Sequence, residues 1–395
     1  MLKRNKRKKL RSKFAAAVLS ASALTASFSE ANVLSRLLIE DYLIENCIQT
    51  NSDITKIRKN KGHLSTALIN LGETKSLLGQ AFYKKSYELD TYFCQDDRKV
   101  PIGAQASYKI LENVAVFKEE MSAREIEFSS IHEIMHVIQA NTLKKFNYSK
   151  LDIIQRINLN LAKETAAHFA RIIYAFELKE LDGNSLYWDS IMEEDGQKDL
   201  LLSFEDIYRE TIGSEEGVED HSSALIFAIE ETWNDLLLDN ERWRDYYLTQ
   251  GFKNYLLYLE RGLLDSLPES GDEWIVKLRE MGKVSDEFNF TKNIKPFPLK
   301  GLLDENPKIG WAFEAIEFER LARIVGRETI KDKLEDARNE GNPYLDIDMG
   351  QLRQQFLTIK EFKFFTEVMD EMVGSKGQEQ LLSLKSQKVQ GLSKP

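Results

Sequence analysis

Apolar side chains recur every three to four residues along most of this chain, which is the spacing of amphipathic helices. The recurrence is clear in residues 33–50 and 61–92, where most of the repeated positions are leucine. Similar patterns occupy residues 197–212, 222–239, 241–264, about 311–340 and 347–373. We therefore predict a mainly α protein of the α+β class, with a small sheet and a helical region at the C-terminal end.

The period changes to two in residues 108–117. Val114 and Val116 fall on one face of this segment, and Ala115 and Phe117 fall on the other, as in a strand. We predict one short strand here, directly before a long helix. Two interpretations stay open: an edge strand that pairs with an extended peptide, or a core strand that contacts no ligand.

The N-terminal residues have the layout of a secretory signal peptide. Residues 1–13 carry eight lysines or arginines and no acid, and a run of small, mildly apolar residues follows at 14–28. A small-x-small cleavage site at residues 29–31 predicts a mature chain that begins at Asn32. A mitochondrial presequence, an uncleaved membrane anchor and a basic arm for nucleic acid are the alternatives.

Charge excludes two classes of partner for the mature chain. The full chain has a formal net charge of −10, and removing residues 1–31 takes away eight basic residues and one acid, which leaves −17. Such a chain repels nucleic acid and anionic membranes. No later stretch approaches 18 apolar residues, so we expect no membrane span after signal cleavage and predict a secreted or periplasmic bacterial protein. The sequence does not indicate an oligomeric state.

Proline usage predicts the domain organisation. None of the seven prolines lies between Pro101 and Pro268, which favours a continuous helical body. A segment rich in lysine and proline then separates this body from further helices, and the polar C-terminus has the composition of disorder. The predicted order is a signal peptide at 1–31, a main domain at 32–290, a linker at 291–310, a helical region at 311–374 and a disordered tail at 375–395.

Cys47 and Cys94 are the only cysteines, and both precede the segments that carry candidate chemistry. A disulfide between them would close a loop of about 48 residues and stabilise the fold by about 4 kcal/mol. Two buried thiols are the alternative. The spacing does not match a C-x-x-C redox or zinc pair.

The segment that begins at Ser122 carries clear helix signals, and Lys144 and Lys145 suit the C-terminus of that helix. Ser122 and Glu125 have the spacing of a capping box, in which each side chain bonds the other residue's backbone. Ile131, Met135 and Ile138 recur at i, i+4 and i+7, which predicts an apolar stripe toward the core.

The same helix contains the sequence HEIMH at residues 132–136, a match to the H-E-x-x-H zinc motif. His132 and His136 project from one face on successive turns, so both imidazoles can reach a single metal ion. Glu133 lies about 100° round the helix, where it can act on a bound water without being a ligand. The alternative is that both histidines are ordinary polar residues of a half-exposed helix.

A second polar cluster occurs in the next predicted helix, which reaches Leu181. Its middle reads KETAAHFA, and Glu164 lies 28 residues after His136. Ala166 and Ala167 are small enough to allow a neighbouring helix to approach closely.

H-E-x-x-H followed by a glutamate on the next helix resembles the gluzincin zinc metallopeptidases. The order of strand, HEIMH helix and KETAAHFA helix is similar to uncharacterised bacterial metallopeptidase-like domains, over roughly residues 100–180. The resemblance implies a zincin-like helical core that binds Zn²⁺ through His132, His136 and Glu164. It also implies that Glu133 is the general base and that the substrate is a peptide or protein.

The sequence departs from known patterns at three positions. Gln139 and Thr142 stand where metzincins have glycine and histidine. His168 stands four residues after Glu164, where the best-known gluzincins have an acid. His168 is therefore a candidate catalytic residue that bonds a metal ligand or stabilises an oxyanion; direct ligation and a purely structural role are the alternatives.

Other histidines and acids are weaker candidates. Glu230 and Glu231 could compete with Glu164 for a metal, but they lie about 95 residues after His136. His63 and His221 are isolated in the sequence, and we assign them no role.

The sequence thus favours a secreted or periplasmic zinc metallopeptidase. A competing hypothesis is a non-catalytic helical interaction protein with a structural or degenerate zinc site, for which His168 would be a fourth ligand. A membrane-anchored protein is a third possibility if the N-terminus is not cleaved.

Overall fold

A computed structural model gives the fold and describes residues 47–50, 62–101, 104–110, 112–194, 197–213, 221–239, 241–268, 273–286, 288–297, 299, 307–345, 348–358, 367–369 and 371. The predicted signal peptide at 1–31 and the predicted disordered tail at 375–395 lie outside these residues. Of the predicted helix at 33–50, only the last four residues are described.

The described residues are mainly helical and contain one small sheet, which confirms the predicted fold class. The strands are β1 (Cys47–Gln49), β2 (Tyr92–Gln95), β3 (Ala106–Lys109) and β4 (Val114–Phe117). The helices are α1 (His63–Glu73), α2 (Leu77–Glu88), α3 (Ala123–Thr142), α4 (Ile153–Asp182), α5 (Leu186–Met192), α6 (Lys198–Gly213), α7 (His221–Asp239), α8 (Glu241–Glu260), α9 (Glu273–Glu280), α10 (Pro307–Val325), α11 (Lys331–Asn339) and α12 (Met349–Thr358). Short 3-10 helices occupy Tyr148–Lys150 and Arg327–Ile330.

The chain forms two compact units. The first comprises the described residues up to Ala140 together with 180–183, and the second comprises the described residues of 141–179 and those from Asn184 onward. The sheet, α1, α2 and α3 as far as Ala140 belong to the first unit. The domain boundaries that proline usage suggests stay predictions.

The four-stranded sheet has the order β1-β2-β4-β3. β2 and β4 pair in parallel, and the two outer pairs are antiparallel. All four residues of β4 are buried, and β4 has a neighbour on each side. Because its backbone groups are already paired on both sides, β4 is a core strand and not an edge strand for a peptide.

Two local predictions about strands were wrong. Residues 108–117 form parts of two antiparallel strands rather than one, because the chain turns between them and Asn113 adopts a φ of 53° there. Asparagine tolerates this left-handed conformation better than most residues do. Residues 47–49 form β1 rather than the end of a helix, because Cys47 pairs with Cys94 across the sheet.

Cys47 and Cys94 form a disulfide that joins β1 to β2. The structure thus selects the disulfide over the two free thiols that the sequence also allowed. Because the bridge closes a loop of about 48 residues, it restricts the unfolded chain and stabilises the fold by about 4 kcal/mol.

The helix α3 forms as its sequence predicts. Ser122 and Glu125 make the reciprocal capping bonds, with Ser122 N–H donating to Glu125 Oε2 over 2.8 Å. The backbone N–H and the hydroxyl of Ser122 both donate to the Glu125 carboxylate, and these two bonds lower its pKa. Ile131, Met135 and Ile138 are buried, so the predicted apolar stripe faces the core.

The predicted helix that reaches Leu181 is α4, the 30-residue helix that ends at Asp182. Gly183 follows with a φ of 66°, and Asn184 N–H donates to the Leu178 carbonyl over 3.0 Å. In the second unit, Ile157 of α4, Phe252 of α8 and Phe313 of α10 belong to one hydrophobic core.

The later helices agree with the sequence except near the C-terminus. The patterns at 197–212, 222–239 and 241–264 correspond to α6, α7 and α8. The predicted helix at 311–340 is interrupted, because Gly326 has a φ of 87° and ends α10. Among the helices that the structure describes, none is long and apolar enough to cross a bilayer.

Candidate metal centre

Three side chains from α3 and α4 form a candidate metal site. Each of His132, His136 and Glu164 offers one ligand atom, and these atoms all lie within 4.8 Å of one another. All three residues are partly buried. Within the described part of the chain, this is the only such group of three or more His, Cys, Asp or Glu residues. The group can therefore hold a metal ion.

The geometry of the group fits a tetrahedral ion. Two ligands about 2.1 Å from such an ion are about 3.4 Å apart, and the Nε2 atoms of His132 and His136 are 3.0 Å apart. Their rings are nearly perpendicular, at 84°, with centroids 4.7 Å apart. Two imidazoles and one carboxylate are also a donor set found in catalytic zinc sites.

The buried side chain of Gln139 orients His136. Gln139 Oε1 lies 2.8 Å from His136 Nδ1, and Gln139 is fully buried. Because an amide oxygen only accepts, the proton of His136 belongs on Nδ1, which leaves the lone pair of Nε2 for a metal. The sequence signal for this contact is the i, i+3 spacing of the two residues, which places them on one helix face.

Replacing Gln139 with leucine should weaken metal binding by a factor of about 10 to 100, the usual cost of removing a partner that orients a ligand histidine. Gln139→Glu keeps an acceptor for the Nδ1 proton and should stay close to wild type. Competition with a zinc-binding dye measures the affinity, and circular dichroism checks that the helices are intact. Equal affinity in the wild type and in a folded Gln139→Leu variant would contradict this role.

Glu133 lies between the two histidines on α3 and is buried, with 5% of its surface exposed. It is not a member of the three-residue group, although it neighbours His132 in the chain. Its Oε2 atom is shielded from solvent. This placement is compatible with a carboxylate that exchanges protons rather than one that binds metal.

His168 is buried on α4, one turn after Glu164. Its Nε2 atom lies 2.9 Å from Gln197 Oε1, so the imidazole donates to that amide oxygen. His168 is not among the three grouped ligands. Its predicted catalytic role stays a prediction, and the contact with Gln197 shows at least one structural bond that the sequence did not suggest.

The weaker candidates have other contacts. Glu230 accepts a hydrogen bond of 2.7 Å from Asn293, and neither Glu230 nor Glu231 belongs to the metal group. His63 Nδ1 lies 2.9 Å from the Met121 carbonyl.

His221 is not isolated in the structure. Its Nδ1 atom lies 2.8 Å from the Tyr208 hydroxyl, and its Nε2 atom lies 3.3 Å from Glu177 Oε1. Glu177 is fully buried. These partners lie 13 and 44 residues away in the sequence, so helical periodicity alone could not connect them.

A cationic residue, Lys163, directly precedes the candidate ligand Glu164 in α4. Burial lowers the pKa of the neighbouring Lys163 ammonium, while the negative charge of Glu164 acts in the opposite direction. The ammonium thereby offsets part of the cost of desolvating the Glu164 carboxylate.

The N-terminus of α4, the helix that carries Glu164, has strong caps. Asp152 and Gln155 form a capping box, in which Gln155 N–H donates to Asp152 Oδ1 over 2.8 Å and Asp152 N–H donates to Gln155 Oε1 over 3.1 Å. Glu317 of α10 adds an acceptor for Ile153 N–H at 2.8 Å. Its negative charge also suits the positive end of the helix dipole.

Arg320 holds the segment that leads into α4. The guanidinium is fully buried, and it donates to the carbonyls of Ser149, Leu151 and Ser266. It also lies 3.5 Å from the carboxylate of Glu317, whose pKa is raised by burial. These contacts join segments up to 171 residues apart, so no local pattern in the sequence predicts them.

No family model, no curated protein and no solved structure matches this chain. The interpretation of the site therefore depends on its own residues. Those residues are two imidazoles and a carboxylate that can hold a metal ion, with a buried carboxylate next to one of the imidazoles in the chain.

Proposed function

We propose that this protein is a zinc-dependent peptidase of gluzincin type. The observation that carries the proposal is the grouping of the ligand atoms of His132, His136 and Glu164 within 4.8 Å. A donor set of two histidines and one glutamate leaves a fourth position of zinc for water or substrate, as catalytic zinc sites require. A closed structural site would need a fourth protein ligand, so the group favours the peptidase over the interaction protein.

In the proposed mechanism, the residues of the chain bind the ion and move one proton. Zinc, when bound, polarises a peptide carbonyl and lowers the pKa of water to about 7. His132 and His136 would hold it through Nε2, and Glu164 through a carboxylate oxygen. Glu133 takes the proton of the attacking water and returns it to the leaving amine. Gln139 keeps the imidazole of His136 in the tautomer that binds.

We also propose that the chain is exported to an oxidising compartment and cleaved before Asn32. Two features support this: the basic and then apolar order of residues 1–28, and the Cys47–Cys94 disulfide. Disulfides persist mainly in secreted and periplasmic proteins. The mass of the exported chain tests the proposal, because a chain that keeps residues 1–31 would contradict it.

Cleavage of a peptide library by the purified chain tests the proposed activity. We expect cleavage that 1,10-phenanthroline abolishes and added zinc restores, because the chelator removes the ion that polarises the carbonyl. A chain that holds zinc stoichiometrically and cleaves neither the library nor casein would instead support the structural-site alternative. Cleavage that is insensitive to the chelator would also contradict the proposal.

A further inference from the structure

The second unit contains a cavity that none of the three candidate metal ligands lines. It has a volume of about 240 Å³. One wall is the segment from the end of α3 to the first turn of α4, and the other wall is α9.

The charges around this cavity are mainly positive. Lys145, Lys150 and Lys277 line it, against the single acid Glu273. Lys277 also contacts Glu280 at 2.7 Å, on the next turn of α9 and outside the lining. The whole chain carries a net charge of −10, so a cavity lined by three lysines and one acid is much more positive than the chain as a whole. Like charges around a low-dielectric wall produce a potential that attracts anions.

The cavity also has an apolar surface. Phe146 and Trp274 are half-buried and Leu151 is buried, so part of the cavity wall consists of two aromatic rings and a leucine side chain, which carry no charge. Phe146 packs edge to face against Tyr148, with ring centroids 5.4 Å apart, which restricts its motion. A flat apolar group could therefore lie on Trp274 and Phe146 while its charged end meets the ammonium groups.

We propose that this cavity binds a small organic anion, with a carboxylate or phosphate among Lys145, Lys150 and Lys277 and an apolar body against Trp274 and Phe146. The volume lies below the range of about 300–1,000 Å³ for drug-sized ligands, which restricts the ligand to a small molecule. A lysine ammonium acts as a point charge and does not require the planar geometry of a carboxylate. Both headgroups therefore match the cavity, and the experiment separates them.

Calorimetric titration of the full chain at low ionic strength tests the proposal with four probes. Benzoate and phenyl phosphate carry both a ring and an anion, benzyl alcohol lacks the charge, and inorganic phosphate lacks the ring. We expect one of the two aromatic anions to bind at least about 10-fold more tightly than benzyl alcohol and inorganic phosphate. The tighter of the two identifies the headgroup.

Substitutions then place the binding at this cavity. Lys150→Gln and Lys277→Gln should each weaken the anion by about 10-fold or more, because each removes a charge-assisted hydrogen bond and keeps the size of the side chain. Lys331→Gln is the matched control, since it neutralises an exposed lysine of α11 and should bind like the wild type. The proposal is overturned if neither aromatic anion binds, if benzyl alcohol binds equally well, or if binding survives in both cavity variants.

Discussion

Glu133→Gln should lower kcat/KM for peptide cleavage by a factor of about 10² to 10⁴ and leave the zinc content unchanged. Glutamine has nearly the size of glutamate but cannot take a proton from water, so only the proton transfer is lost. This loss corresponds to about 3 to 5 kcal/mol of transition-state stabilisation. Because Glu133 lies outside the three-residue ligand group, the metal should stay bound. Peptide cleavage and zinc analysis on the same preparation measure both effects.

Glu127→Gln provides a matched control on the same helix. Glu127 is also buried, at 6% exposure, and it accepts a hydrogen bond of 2.9 Å from Asn70. It lies outside the metal group, so its variant should keep the activity of the wild type. Unchanged cleavage by Glu133→Gln, or an equal loss in both variants, would refute the assigned role of Glu133.

Arg320→Met should lower the free energy of unfolding by about 3 to 5 kcal/mol, the range for breaking a buried ion pair by removing one partner. Methionine fills part of the space but donates nothing, so the carbonyls of Leu151 and Ser266 lose their bonds of 2.7 Å. The Glu317 carboxylate also loses the positive charge 3.5 Å away. Urea denaturation followed by circular dichroism measures the change.

Arg327→Met is the control for Arg320→Met. The side chain of Arg327 is 65% exposed and lies 3.7 Å from the Glu319 carboxylate. Exposed ion pairs contribute at most about 1 kcal/mol, so the control should lie within that range of the wild type. If both substitutions cost the same, the contacts of Arg320 do not anchor the start of α4 as described.

Local sequence signals located most of the helices but missed the break between α1 and α2, which lies inside the single helix expected at residues 61–92. They predicted the strands less well. The capping pair Ser122 and Glu125 and the stripe of Ile131, Met135 and Ile138 determine α3 within a single segment. The strand β1 depends on a partner about 45 residues away in β2, and three residues carry too little periodicity to distinguish a strand from a helix. The pairing of β1 with β2 in the folded sheet, and not the local helix or strand propensity, therefore determines that residues 47–49 form a strand.

The sequence likewise predicted one part of the candidate site and not another. The spacing of His132 and His136 determines their common helix face, so the sequence alone predicted that both could reach one ion. Glu164 was a candidate ligand only because of the family resemblance. A separation of 28 residues does not by itself require the segment with His136 and the segment with Glu164 to meet. His168 and Gln197 are 29 residues apart in the sequence and meet only through tertiary packing, so no local pattern predicts their contact.

The central claim is that His132, His136 and Glu164 together hold a metal ion. Zinc content, measured by mass spectrometry on the purified wild type and on the His132→Ala, His136→Ala double variant, tests this claim most directly. We predict one zinc ion per wild-type chain and almost none in a double variant whose helical content is intact. A wild type that binds no zinc when zinc is supplied, or a double variant that keeps its zinc, would contradict the claim.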